Sequence, residues 1–337
     1  MRRTTPAGGR GRRRRGLAYR GAGSGDGGFA LLAVLLVLTL LGVIGTEFAY
    51  SMRLEASMVR SYRDGVIALN LAEAGVQQAI REILTQAAIV GTPDDEPLTF
   101  YRTALDRLPR LPRAAVPLGP GQFSYRITDE ESRIDLNLSR PDRVDRLLTE
   151  LGLDKQVRDT VDDSLQDSRD ADEDHRLNGA ESEDTYLRLP VPYRSRNGPL
   201  EDIRELLQVH GVTPEIYYGH DQSLPLRDFV TVHGSPQINI NTAPALVLKA
   251  LGLSDAEISE IEQARRAVPY VIVPGKFAGF GFSTTTQTFR VEAEGLVAGE
   301  PVTRVIAVVR RQSDGQGHDI AVLAWYPNPA EPTRPPK

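Results

Sequence analysis

The sequence predicts an α+β fold: one long amino-terminal helix, a small antiparallel sheet, and a large all-α domain inserted between the strands. Three patterns predict it. Residues 29–45 are uncharged and almost wholly apolar, and they run into a striped helical pattern that continues to about residue 90. Period-two alternation occurs twice, around 123–138 and again over 289–326, and helical periodicity fills the interval 141–284. In a chain of 337 residues the simplest account is one sheet interrupted by an insertion.

The first element is a membrane span. At ~1.5 Å per residue, a helix over 29–48 covers roughly 25 to 30 Å, the thickness of a bilayer's hydrocarbon core. Residues 1–28 carry eight Arg against the single acid Asp26. Such a flank stays on the cytoplasmic side, so the remainder of the chain faces out. A secretory signal would place small residues after the apolar run. Here Thr46-Glu47-Phe48 follows it, and the small residues Gly27 and Gly28 precede it.

A basic leader ending in Gly, then Phe, then an apolar helix that continues as an amphipathic one, resembles the class III signal of type IV pilins and type II secretion pseudopilins. The resemblance implies that a prepilin peptidase cuts between Gly28 and Phe29 and methylates the new amino terminus. It also implies a single-pass protein of the bacterial inner membrane with a periplasmic body. Those families usually carry Glu at the fifth mature position, where this chain has Ala33.

Composition narrows the functions. The formal charge is −5; the leader contributes a net +7, so the chain without it stands at −12. An acidic body is a poor match for nucleic acid, which is bound by neutralising phosphates with Lys and Arg. There is no Cys, which excludes disulfides, thiolate metal sites and thiol catalysis.

Beyond the membrane, Leu54, Met58, Tyr62, Val66, Leu69, Val76, Ile80 and Ile83 form one predicted apolar stripe, ended by Gly91-Thr92-Pro93. Leu71-Ala72-Glu73-Ala74-Gly75 resembles a stretch common in pilin-like proteins, and its small residues suit close packing. A Pro-rich loop follows, with a short helix expected around Tyr101 to Leu108. Phe123, Tyr125 and Ile127, then the acidic turn Asp129-Glu130-Glu131, then Ile134, Leu136 and Leu138 predict a β-hairpin. From Pro141, with Ser139 as expected cap, Val144, Leu147 and Leu148 predict one helix, and Val157, Val161 and Leu165 a second.

The chain then becomes strongly acidic, with Asp167, Asp170, Asp172, Glu173, Asp174, Glu181, Glu183 and Asp184 close together. Such carboxylates repel one another unless solvent or a hard cation neutralises them. Calcium takes six to eight oxygen ligands in a flexible loop, and Gly179 would let the backbone turn inward. The spacing is not that of an EF-hand, and on composition alone a solvated acidic loop is the better reading.

The ordered set from Asp167 through Asn178-Gly179-Ala180-Glu181, Pro192-Tyr193-Arg194, Asn197-Gly198-Pro199-Leu200 and Gly211-Val212-Thr213 resembles the protein K family of minor pseudopilins of type II secretion. Ile238-Asn239-Ile240-Asn241-Thr242-Ala243-Pro244 extends the match. The resemblance implies the pseudopilin fold, in which the long helix packs on an antiparallel sheet. Its domains would be a leader at 1–28, the long helix at 29–90, an α/β domain at 91–140 and 285–337, and the insertion at 141–284. It further implies calcium, one or two ions, at Asp167, Asp170, Asp172, Asp174, Glu181 and Asp184 within a cation loop at 167–184, although Ser168 stands where the family usually has Trp. Partners would be the I and J minor pseudopilins, and Ala33 would suit the tip of a periplasmic pseudopilus, where no subunit lies above to be neutralised.

Two other functions are weighed on residues. Asn241-Thr242-Ala243-Pro244, expected to cap a helix, opens a helical hairpin over 241–266 that is similar to helix-hairpin-helix DNA-binding modules. Its turn, Gly252-Leu253-Ser254-Asp255-Ala256-Glu257, sets acids where phosphate would approach. No His pair, Ser nucleophile motif or phosphate loop points to catalysis, so no enzyme is expected. The alternatives are a minor pilin of a type IV pilus or competence system, and a periplasmic binding protein on an uncleaved anchor.

Overall fold

The structure, a computed structural model, describes residues 26–85, 88–93, 97–220, 223–313 and 318–327. The leader, apart from its last residues, lies outside the described residues.

Helix α1 runs over Asp26–Thr85. Within the apolar run the hydroxyls of Thr39 and Thr46 donate to the carbonyls of Leu36 and Val43, both at 2.8 Å. Each hydroxyl is thereby satisfied inside its own helix, as hydrocarbon surroundings require. Residues Gly28 to Tyr62 are exposed and belong to the first of two units, the second beginning at Arg63. Among the described residues this is the one helix long and apolar enough to cross a membrane.

In the second unit, α1 ends at Thr85 and not near residue 90, because Ile89–Gly91 becomes strand β1. It pairs antiparallel with β2 (Thr99–Thr103), which pairs in turn with β3 (Asp106–Arg107). The helix expected at Tyr101 to Leu108 is therefore a small β-turn structure: Phe100 and Tyr101 are buried in their ladder. Strand β4 (Val116–Leu118) leads to β5 (Gly121–Asp129).

The expected hairpin after β5 does not form. Asp129-Glu130-Glu131 opens a 3₁₀ turn over Glu130–Ser132, and β6 (Ile134–Asp135) pairs in parallel with β7 (Val230–Thr231), far along the chain. Between them lie α2 (Pro141–Glu150), α3 (Lys155–Asp167) and α4 (Pro214–Tyr218). Pro141 sits at the first helical position of α2; its cap residue is Arg140, not Ser139, and no side chain caps it. Beyond β7 come β8 (Ile238–Asn239), α5 (Ala245–Ala250), α6 (Asp255–Ala267) and β9 (Phe282–Ser283), which pairs in parallel with β8. The insertion is thus mainly helical but carries two parallel β ladders. It starts before 141, since Ile134 and Leu136 belong to its core with Leu147, Leu148, Leu165, Ile240, Leu248 and Phe277.

Strands β10 (Thr288–Val297), β11 (Glu300–Ser313) and β12 (His318–Pro327) complete a five-stranded antiparallel sheet in the order β12-β11-β10-β5-β4. Inward-facing Phe123, Tyr125, Ile127, Phe289, Val291, Ala293, Val305, Ala307 and Val309 meet one face of α1. That face is Ala68, Leu71, Ala72, Val76, Ala79 and Ile83, whereas Leu54, Met58, Tyr62 and Val66 of the predicted stripe are exposed. Small residues win because helix and sheet backbones touch: a Cβ on Gly295 would lie 1.8 Å from the carbonyl oxygen of Ala68, and one on Gly75 3.1 Å from Ala293. Glu82, fully buried in this interface, is held by Arg113 at 2.7 Å and by the Tyr125 hydroxyl at 2.9 Å.

The acidic turn joins sheet to insertion. Asp129 accepts from Asn239 (2.8 Å), Thr242 (2.6 Å) and Thr286 (2.7 Å), and burial still pushes it up to about 6. Glu130 accepts from Thr231 (2.6 Å), Arg133 (2.7 Å) and Arg290 (2.8 Å), and Glu131 from the amides of Gln287 and Thr288. Asn241 and Thr242 are part of this junction and not a helix cap. The residue before α5 is Pro244, and Asn241 instead binds the carbonyls of Tyr270 and Thr284.

Candidate cation loop and amino-terminal helix

The loop begins where α3 stops. Asp167, the last residue of α3, has a fully buried side chain; its Oδ1 accepts from Nη1 of Arg176 at 2.5 Å and its Oδ2 from the Arg176 amide at 3.1 Å. The same Nη1 reaches Oδ2 of Asp170 at 2.8 Å. The chain turns back over this carboxylate at Gly179, where a Cβ would lie 1.8 Å from Asp167 Oδ2. Only glycine fits that approach.

Glu181 is 2% exposed, and neither of its carboxylate oxygens has a hydrogen-bond partner. Burial first, then the charges of Asp167, Glu173 and Asp170, push it up to about 7. Asp170 Oδ1 and Asn197 Oδ1 are likewise buried without a donor. Glu173 accepts from the amide and hydroxyl of Ser182 and from Asn197 Nδ2, and Asp184 accepts from the Glu181 amide at 3.1 Å. Asp172 is spent on a local turn, accepting from the Asp174 amide, and Asp174 is exposed. Ser168 borders a cleft lined by Tyr186, Tyr193, Leu200 and Val209.

Of the six expected residues, the fold gathers Asp167, Asp170 and Glu181 and sets Asp184 beside them, while Asp172 and Asp174 are exposed. Among the described residues, no three His, Asp or Glu side chains stand in a ready metal-binding arrangement. Arg176 occupies the space between the first two carboxylates. The donor chemistry nonetheless fits a hard cation: hard oxygens, several buried without donors, around a loop short of positive charge. Sequence reasoning passed over three contributors, Glu173, Arg176 and Asn197. Asn197 had a signal in its Asn-Gly pair, and it adopts φ +48°; Arg176 had none beyond being a cation inside an acidic run.

At the amino-terminal helix, Gly28 and Phe29 lie in the first turns of α1, exposed, and a Cβ on Gly28 would meet nothing within 4 Å. Nothing in the fold demands glycine there. Ala33 is exposed on the same helix.

A long apolar helix continuing onto one face of an antiparallel sheet, interrupted by a helical insertion, is a pseudopilin-like fold. One chain of the crystal structure of the GspK-GspI-GspJ complex from enterotoxigenic Escherichia coli superposes with a TM-score of 0.53 at 17% identity, covering 84% of this chain and 100% of that one. The family model for type II secretion system protein K matches residues 128–232, the acidic turn through β7. The curated type II secretion system protein K of Pectobacterium carotovorum is 29% identical over 167 residues, 44% of this chain and 49% of that protein. Its counterpart in Klebsiella pneumoniae is 27% identical over 268 residues, 71% of this chain and 74% of that protein. The chain thus aligns with about half the length of the first relative and about three quarters of the second. These sequence similarities are all to protein K of type II secretion systems, with the family-model match confined to residues 128–232.

Proposed function

We propose that the chain acts as a minor pseudopilin of the type II secretion system, anchored in the inner membrane by α1 with its body in the periplasm. The observation that carries the reading is the protein K match at 128–232 in a chain whose exposed apolar helix continues into a sheet-packed one. A prepilin peptidase would cut between Gly28 and Phe29 and methylate Phe29; both residues are exposed at the start of α1. The apolar helix would then exchange lipid for the helices of the I and J minor pseudopilins. Ala33, with no carboxylate to offer a subunit above it, suits the tip. No catalytic step is assigned to the chain.

Calcium is the proposed ligand of the loop. Asp167, Asp170, Glu181 and Asp184 would hold it, and the ion would supply the positive charge that the buried oxygens of Glu181 lack. Mass spectrometry of the protein purified from membranes of a host with a working prepilin peptidase tests the assignment. Loss of residues 1–28 with one added methyl is the expected result; an intact amino terminus contradicts it.

A further inference from the structure

We infer that Arg176 is a built-in counter-cation of the acidic loop, holding Asp167 and Asp170 together in the metal-free protein and releasing them when a divalent cation enters. The inference rests on the cation reading above and concerns how that site is regulated. One nitrogen, Nη1, bridges both carboxylates at 2.5 and 2.8 Å. The Arg176 side chain is 38% exposed while that of Asp167 is fully buried, so the charge reaches the pair from the solvent side and can leave by the same route.

A single guanidinium does not complete the site. Both oxygens of Glu181 and Oδ1 of Asp170 remain buried and without a donor, which is costly unless more positive charge arrives. A divalent ion bound at roughly 2.3 to 2.6 Å from these oxygens would draw on them together. It would also stand within a few ångströms of the guanidinium, and two positive charges at that separation repel. Asp167 does not depend on the guanidinium alone for its position, because the Arg176 amide holds it as well. Removing the side chain therefore removes a competitor while Asp167 keeps its bond to the Arg176 amide.

The test compares full-length wild type with Arg176→Gln, purified in detergent and stripped with chelator, by equilibrium dialysis against calcium. The variant is expected to bind calcium at least tenfold more tightly, and its melting temperature to fall more without calcium than with it. In wild type, modification of Arg176 by phenylglyoxal, read by mass spectrometry, is expected to accelerate when calcium is added; this measurement needs no variant. Calcium binding by wild type with equal or weaker binding by Arg176→Gln, or an Arg176 reactivity indifferent to calcium, overturns the inference and leaves the cation site standing. No calcium binding by wild type overturns the site itself.

Discussion

Replacing Gly295 by Ala tests the contact on which the packing of α1 against the sheet is built. The added Cβ would lie 1.8 Å from the carbonyl oxygen of Ala68 and 2.6 Å from its carbon. A carbon-to-oxygen contact needs about 3.3 Å, so α1 must retreat from β10 by roughly 1.5 Å. Its buried face, Leu71, Ala72, Val76, Ala79 and Ile83, would retreat with it. A gap of ~0.5 to 1 Å already forfeits a quarter to a half of each dispersion contact. Overpacking against side chains costs about 1 to 3 kcal/mol; here the obstacle is backbone, which places the cost at the top of that range. The gain of up to ~1 kcal/mol from removing a strand glycine does not offset it. At ~2 to 4 °C per kcal/mol for a body of this size, the melting temperature should fall by roughly 5 to 10 °C. Thermal unfolding followed by circular dichroism measures it, with Gly65→Ala as control, because a Cβ there meets nothing within 4 Å. A Gly295→Ala protein that melts within about 2 °C of wild type, or behaves like the control, refutes the reasoning.

Further expectations concern the buried charges. Burial acts to raise Glu130, and the guanidiniums of Arg133 and Arg290 outweigh it, holding the carboxyl at about 2 against an ordinary 4.5. The group is depressed in the folded state, so its stabilisation is present above the ordinary value and is lost as pH falls toward 2. The shift corresponds to about 3 kcal/mol. Glu130→Gln should therefore be less stable at neutral pH by a similar amount and show a flatter acid limb in melting temperature against pH; superimposable limbs would count against the assignment. Gly179→Ala should push Asp167 out of the loop and lower calcium affinity by more than tenfold, with little change in the helix and sheet signal. A variant that keeps the wild-type thermal response to calcium would show that Asp167 is not a ligand.

The elements legible in the sequence were those whose pattern is local. The apolar run of α1, the strands around Phe123 and Phe289, and the helices carrying Leu147, Val161 and Ile258 each follow a period that one face of a buried element imposes. The acidic loop was legible as a charge anomaly, and Gly179 as the residue that lets it turn. The misread segments share a cause. Ile134–Asp135 and Ile238–Asn239 are two-residue strands too short to show a period, and their partners lie dozens of residues away. Asp129-Glu130-Glu131 read as a turn because acids usually sit in solvent. In the fold they are buried and satisfied by donors from Asn239, Thr231 and Arg290, which no local pattern announces.

By itself the sequence determined that one helix can stand in a bilayer with a basic segment before it, that a sheet and a helical insertion follow, and that carboxylates crowd one loop. Composition and period suffice for such statements, because hydrophobic burial acts on each element's own face. The tertiary structure alone decided which face of α1 is covered, since that depends on how closely Gly295 lets two backbones approach. It also decided which acids meet and which look outward, because charge pairing across a loop is settled by where the chain folds back. Arg176 between Asp167 and Asp170 is the plainest instance: a cation with no signal in the sequence bridges two carboxylates at 2.5 and 2.8 Å.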